Sequence, residues 1–156
     1  MTDPRPPAGD HWLESADILR LLGHRYPFLL VDRLRVVEPG RRALGLKRVT
    51  GAEWSSVASA AAIREMPGLL VVEALAQATA GILVGLLDGS TGAVGYFASA
   101  NRVRFRELPR AGDTLMLSVE LVSFRRGVAR VRGVATVDDR LAVSATFMAV
   151  VRGRTA

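Results

Sequence analysis

The most apolar run of the chain carries a single ionisable side chain. Residues 68–87 read GLLVVEALAQATAGILVGLL, with Glu73 the only charged residue and Gln77 four positions further on. Four-residue spacing puts the two on one helix face. A carboxylate in apolar surroundings is costly unless it is paired or holds its proton. A proton-holding carboxyl suits a general acid near neutral pH. A helix glutamate that reaches an arginine or the solvent has the same spacing, so both readings stand at this point. Pro67-Gly68 opens the run. The free N–H groups of a helix start can hold an anion or polarise a carbonyl, although Pro-Gly is also a simple breaker. His24, in the turn Gly23-His24-Arg25-Tyr26-Pro27, has a ring suited to acid–base work. A lone loop histidine is more often structural.

Composition limits the other chemistries. The chain has 156 residues, 49% of them hydrophobic, and no Cys. That is enough for one domain with a real core, and it excludes disulfides and thiolate nucleophiles. The only histidines, His11 and His24, lack zinc-ligand spacing. Net charge is +6, and 20 of the 21 basic residues are Arg, Lys47 being the exception. Such a surface favours an acidic partner, protein or nucleic acid, or is simply well solvated. Arg102, Arg104 and Arg106 alternate, which puts them on one face of a strand, and Arg125-Arg126 sit at a turn. Only 6% of residues are aromatic, which weakens a single-stranded nucleic-acid reading.

These residues need elements to hold them. The Pro-rich arm 1–11 lacks the apolar segment of a signal peptide, and the expected location is cytoplasmic. One domain is expected over 12–152, with a tail at 153–156. WLESADILRLL, residues 12–22, predicts a short helix in which Ser15 can act as a cap and Ile18, Leu19 and Leu22 share a face. A strand is expected from about Phe28 to the Pro39-Gly40 turn, and a second over RALGLKRVT. A continuous helix follows from Gly68 to Leu87. At about 1.5 Å per residue it approaches the bilayer span of roughly 30 Å. Glu73, Gln77 and the strand-rich region beyond argue for a buried core helix instead. Four strand-like runs, 92–105, 114–124, 128–137 and 140–152, then suggest an antiparallel meander. The fold class expected is α+β, a curved antiparallel sheet around one buried central helix.

Three stretches together resemble one family. HRYPFLLVDR at 24–33, MPGLLVVEALAQATAGIL at 66–83 and YFASANRVRFRELPRAGD at 96–113 look like the β-hydroxyacyl-acyl-carrier-protein dehydratases of the FabZ type. RRGVARVRGVATVD at 125–138 extends the likeness, which covers most of residues 16–152. The resemblance implies a hot-dog fold, dimers often assembled as trimers of dimers, and active sites at the dimer interface. It implies a 3-hydroxyacyl substrate tethered by phosphopantetheine to an acidic acyl carrier protein, and dehydration to the trans-2-enoyl thioester without metal or organic cofactor. By the same resemblance Glu73 is the family carboxylate, with Gln77 its helix neighbour. Gly68 holds the place whose backbone N–H polarises the thioester carbonyl. Tyr96 and Phe97 border the acyl tunnel, and Arg102, Arg104 and Arg106 flank the carrier-docking side.

The chain departs from the family at one point. The family pattern upstream of the helix is roughly GHFPGxPxMPG and holds the histidine base; here the same length reads ASAAAIREMPG. Val49-Thr50 and Glu53 align before it and Met66-Pro67-Gly68 after it, so the histidine position is Ser59 and Gly-His-Phe-Pro-Gly becomes Ala58-Ser59-Ala60-Ala61-Ala62. A serine hydroxyl is no base near neutral pH without an activator of its own. Losing Pro and Gly also removes a stiff turn. Three functions follow. The first is a dehydratase-family subunit impaired as a homodimer that binds acyl chains or carrier and pairs with an intact dehydratase. The second is an active dehydratase or thioesterase with another base, Glu65, His24 or a Glu73-activated water. The third is a nucleic-acid-binding module.

Overall fold

The computed structural model describes residues 11–50, 65–86 and 94–152. Ser59 and the whole run 51–64, the arm before residue 11, the Asp88-Gly89 helix stop and the tail 153–156 lie outside the described residues.

Helix α1, Ser15–Leu21, comes first, followed by strands β1, Arg33–Glu38, and β2, Arg42–Arg48. Helices α2, Gly68–Ala78, and α3, Ala80–Leu86, follow. Strands β3, Val94–Phe105, β4, Thr114–Arg125, β5, Val128–Val137, and β6, Arg140–Arg152, close the chain. The strands form one antiparallel sheet in the order β1-β2-β4-β5-β6-β3. This is the expected α+β architecture. Alternation does the sorting: Leu115, Leu117 and Val119 of β4, Val131 and Ala135 of β5, and Val143, Ala145, Phe147 and Ala149 of β6 are buried. They share one core cluster with Val71, Ala74, Leu75, Ala78 and Ile82 of the helices.

Four details differ from the sequence expectation. The long helix is interrupted at Thr79, whose hydroxyl donates to the Ala76 carbonyl at 2.6 Å and whose N–H reaches the same carbonyl at 3.1 Å. A threonine hydroxyl bonding back into its own helix competes with the backbone ladder there. Ser15 does not cap α1; Glu14 is the N-cap residue, makes no side-chain cap bond, and pairs instead with Arg33. Arg33 holds the Glu14 carboxyl below its ordinary range by that hydrogen bond. Only β4, β5 and β6 form a meander, since β3 pairs with β6 at the far edge. β4 has β2 on its other side, so β3 has no place beside it. The first strand begins at Arg33 rather than near Phe28, because the backbone of residues 28–30 is bound by a side chain of α2, described below.

Small residues let the helices lie close on the sheet. A Cβ on Gly45 would stand 3.1 Å from the Ala78 Cβ and 3.3 Å from the Leu117 Cβ. Both are Cβ atoms fixed to the backbone, so no rotamer change moves them aside. Gly45→Val is expected to cost about 1–3 kcal/mol, or roughly 2–4 °C of melting temperature per kcal/mol. Gly23→Ala, where a Cβ meets nothing within 4 Å, should stay within about 0.5 kcal/mol of the parent. Thermal melts of the two variants check this; similar melting temperatures would contradict it.

Candidate functional site

Pro67 is the N-cap residue of α2. Its carbonyl accepts from Leu70 N–H at 2.9 Å and Val71 N–H at 3.2 Å. The N–H groups of Gly68 and Leu69 have no acceptor among the described residues, as expected for a first turn. A Cβ on Gly68 would stand 2.6 Å from the Phe105 ring, which would have to shift. The chain entering the helix is fixed by Met66 N–H donating to the Pro109 carbonyl at 2.8 Å and by the Glu65–Arg110 ion pair at 3.2 Å.

Glu73 lies five residues after Gly68, about 7.5 Å along the axis. One turn later comes Gln77, 1% exposed. Its Oε1 accepts from Leu30 N–H at 2.9 Å, and its Nε2 donates to the Phe28 carbonyl at 2.8 Å and to Glu73 Oε1 at 2.9 Å. Leu30 N–H can only donate and the Phe28 carbonyl can only accept, so the amide has one possible orientation. Both of its donors are in use. Its long reach to residues 28 and 30 takes the backbone groups that would otherwise extend β1, which is why that strand starts late.

The third member comes from the turn before this segment. His24 Nε2 lies 3.4 Å from Glu73 Oε1, a contact beyond ordinary hydrogen-bond length. The imidazole stacks on the Phe28 ring with centroids 6.2 Å apart. The Glu73 side chain is 27% exposed. Among the described residues it pairs with no arginine: an amide and an imidazole hold one of its oxygens, and Oε2 has no partner. Such a carboxyl can exchange a proton with a bound molecule.

The structure thus brings together Glu73, Gln77 and His24, with Gly68 up the same helix. It does not bring Tyr96 and Phe97 to them within one subunit. A Cβ on the adjacent Gly95 would collide with Leu83 at 2.5 Å, and Leu83 lies ten residues, about 15 Å, beyond Glu73. Tyr96 is 60% exposed, and the Phe97 ring meets Phe147 edge-on at 5.8 Å. Glu65 is engaged with Arg110. The three arginines do not alternate simply, because β3 breaks register between Asn101 and Arg104, and Arg102 has φ 52°. Arg106 follows the end of β3. All three are exposed and without an ion-pair partner among the described residues. Among the described residues the outer edge of β3 pairs with no further strand. Tyr96, Phe97 and Phe105 are exposed on that strand, and Leu69, at the start of α2, is 74% exposed.

Sequence spacing singled out Glu73 and Gln77, but not Gln77's partners. Backbone acceptors and donors leave no mark on residue type, so the Phe28 and Leu30 contacts had no signal. His24 had one, its ring chemistry, without a partner to give it a role. Gln77→Ala would remove the acceptor of the buried Leu30 N–H. At about 1–3 kcal/mol for one buried unmet group, a loss of that size is expected in urea unfolding, above that of an exposed polar substitution.

Comparison with known proteins gives the family and the fold. Residues 22–146 match the family described as FabA-like domain. The 3-hydroxyacyl-[acyl-carrier-protein] dehydratase FabZ of Caldanaerobacter subterraneus subsp. tengcongensis is 44% identical over 138 residues, 88% of this chain and 97% of that protein. The protein of the same name from Syntrophotalea carbinolica is 45% identical over 141 residues, 88% of this chain and 94% of its own. Among solved structures, the dehydratase heterocomplex ApeI:P from Xenorhabdus doucetiae superposes with a TM-score of 0.69 at 16% identity, over 88% of this chain and 91% of its own. Smu.793 from Streptococcus mutans, bound to acetyl CoA, gives 0.64 at 18%, over 86% and 98%. Both share the hot-dog fold. By the family match and by identity along nearly its whole length, the chain belongs to the FabA-like family, as a hot-dog relative of the FabZ 3-hydroxyacyl-[acyl-carrier-protein] dehydratases.

Proposed function

We propose that this chain is a dehydratase-family subunit acting on 3-hydroxyacyl groups carried by an acyl carrier protein in fatty acid or polyketide/polyene synthesis. It supplies the acid, Glu73, and lacks the base. One observation carries this reading: a single carboxyl, held at one oxygen by Gln77 and open at the other, on an otherwise apolar helix. The dehydration needs a base to take the Cα proton while an acid protonates the departing hydroxyl. Glu73 fits the acid, and Gly68 and Leu69 N–H fit the polarisation of the thioester carbonyl. For the base, Ser59 stands where the family has histidine, and Glu65 is occupied by Arg110.

The missing base is then supplied by a second, intact dehydratase subunit. The uncovered β3 edge, with Tyr96, Phe97, Phe105 and Leu69 exposed, favours a partner on that side. A fold neighbour described as a dehydratase heterocomplex favours pairing with an unlike chain. Arg102, Arg104 and Arg106 suit the acidic carrier. Arg104→Glu with Arg106→Glu should weaken carrier binding and flatten its salt dependence, read by titration at two ionic strengths.

The base deficit can be tested by restoring the family turn: Ala58→Gly, Ser59→His, Ala60→Phe, Ala61→Pro and Ala62→Gly together. The parent homodimer should dehydrate 3-hydroxyacyl-carrier thioesters poorly, and the restored variant faster by about 10²-fold or more. Adding Glu73→Gln should remove that gain. A parent already as fast as the restored variant would sink the deficit. Release of free acid from acyl thioesters by the parent would favour a thioesterase.

A further inference from the structure

His24 lies beside Glu73, and the question is what its ring can do there. Nδ1 is buried and has no partner among the described residues, while Nε2 faces Glu73 Oε1 at 3.4 Å. A buried N–H without an acceptor is penalised more sharply than a buried lone pair without a donor. The ring proton of neutral His24 therefore belongs on Nε2, pointing at the carboxyl, and its lone pair is sealed inside on Nδ1. With that tautomer His24 offers a donor to Glu73 and no accessible lone pair to a substrate.

Gln77 offers the second donor to the same oxygen, at 2.9 Å. The Gln77 N–H on Oε1, with the His24 N–H close by, favours the carbonyl-like end of a protonated carboxyl there, which leaves the O–H on Oε2, the oxygen without a partner among the described residues. We infer that His24 and Gln77 are positioning residues that select Oε2 of Glu73 as the proton-delivering oxygen. The inference rests on the reading of Glu73 as the acid of the dehydration. In that step the partner's base takes the Cα proton, and the C–H electron pair forms the Cα=Cβ bond. The C–O bond breaks towards oxygen, which takes the Oε2 proton and leaves as water. The charge that remains on Glu73 is met at Oε1 by the Gln77 N–H already in place and by the His24 N–H drawn in beside it. The 3.4 Å contact is of the kind that tightens when charge develops. His24 is thereby removed from the candidates for the missing base.

The tautomer is readable without turnover, because the full chain contains only two histidines. Nitrogen-15 spectra of histidine-labelled protein, assigned with His11→Ala, should show neutral His24 protonated at Nε2. Glu73→Gln should move its signals, and Glu65→Gln should leave them in place. Protonation at Nδ1, or indifference to Glu73→Gln, overturns the inference whatever the activity. The functional arm uses the protein with the restored family turn. His24→Ala should lower kcat by about 10-fold to 10²-fold with KM little changed, and His24→Gln, which keeps a donor near Nε2, should recover most of the loss. Unchanged kcat in a folded His24→Ala overturns the positioning role. An inactive restored protein with the predicted spectra instead discounts the dehydratase reading and leaves the tautomer standing.

Discussion

The side-chain amide of Gln77 is the contact on which the site depends. A buried amide is tolerated only when its hydrogen bonds are made, and this one has both donors and an acceptor lone pair engaged, reaching the chain at residues 28 and 30 and the carboxyl at 73. The same three bonds dock the loop before β1, delay the start of that strand, carry His24 to the helix and orient Glu73. Because the partners are backbone groups on one side and a carboxylate on the other, the amide cannot flip without losing all three. Local order in the site is thus bought with a network in which no member is spare.

That network stands on close packing. Glycines bring helix and sheet together from both sides: a Cβ on Gly45 of β2 would meet Ala78 at 3.1 Å, one on Gly81 of α3 would meet Ala43 at 2.8 Å, and one on Gly133 of β5 would meet Phe147 at 3.0 Å and Leu75 at 3.3 Å. Without these gaps α2 would stand further from the sheet, and Gln77 would not reach residues 28 and 30. The apolar environment in turn raises the worth of each polar contact, since few waters compete and the effective dielectric is lower than in solvent. Glu73 sits at the margin of this region, partly exposed, where a carboxyl can be both oriented by the protein and reached by a ligand.

Much of the frame was legible in residue types. Alternating apolar residues placed β4, β5 and β6 within a residue or two, and the apolar run from Gly68 placed the helices. The pattern could not reveal where strands pair, so β3 was assigned beside β4 when β2 already occupied that edge. Nor could it reveal the break at Thr79, which depends on one hydroxyl choosing its own backbone over the ladder. The alternation of Arg102, Arg104 and Arg106 suggested one face, but the bulge after Asn101 disrupts the period-two rule at that point. For the site, spacing revealed Glu73 and Gln77 as helix neighbours, whereas the role of His24 required the folded loop.

Two demands fall on position 73, and they can be separated. Gln77 needs an acceptor there for its second N–H, and a glutamine carbonyl would serve as well as a carboxylate oxygen. The fold therefore does not ask for a titratable group. A glutamine would also avoid placing an ionisable group on an apolar helix, where the charged form is disfavoured unless it is partnered. What only a glutamate adds is a second oxygen able to carry and release a proton, and that oxygen is the one left open among the described residues. The carboxyl thus exceeds what the packing requires. On the function proposed above, an oriented proton donor without its matching acceptor is half of an acid–base pair, and the outer edge of β3, which pairs with no further strand among the described residues, is where a subunit carrying the other half would join it.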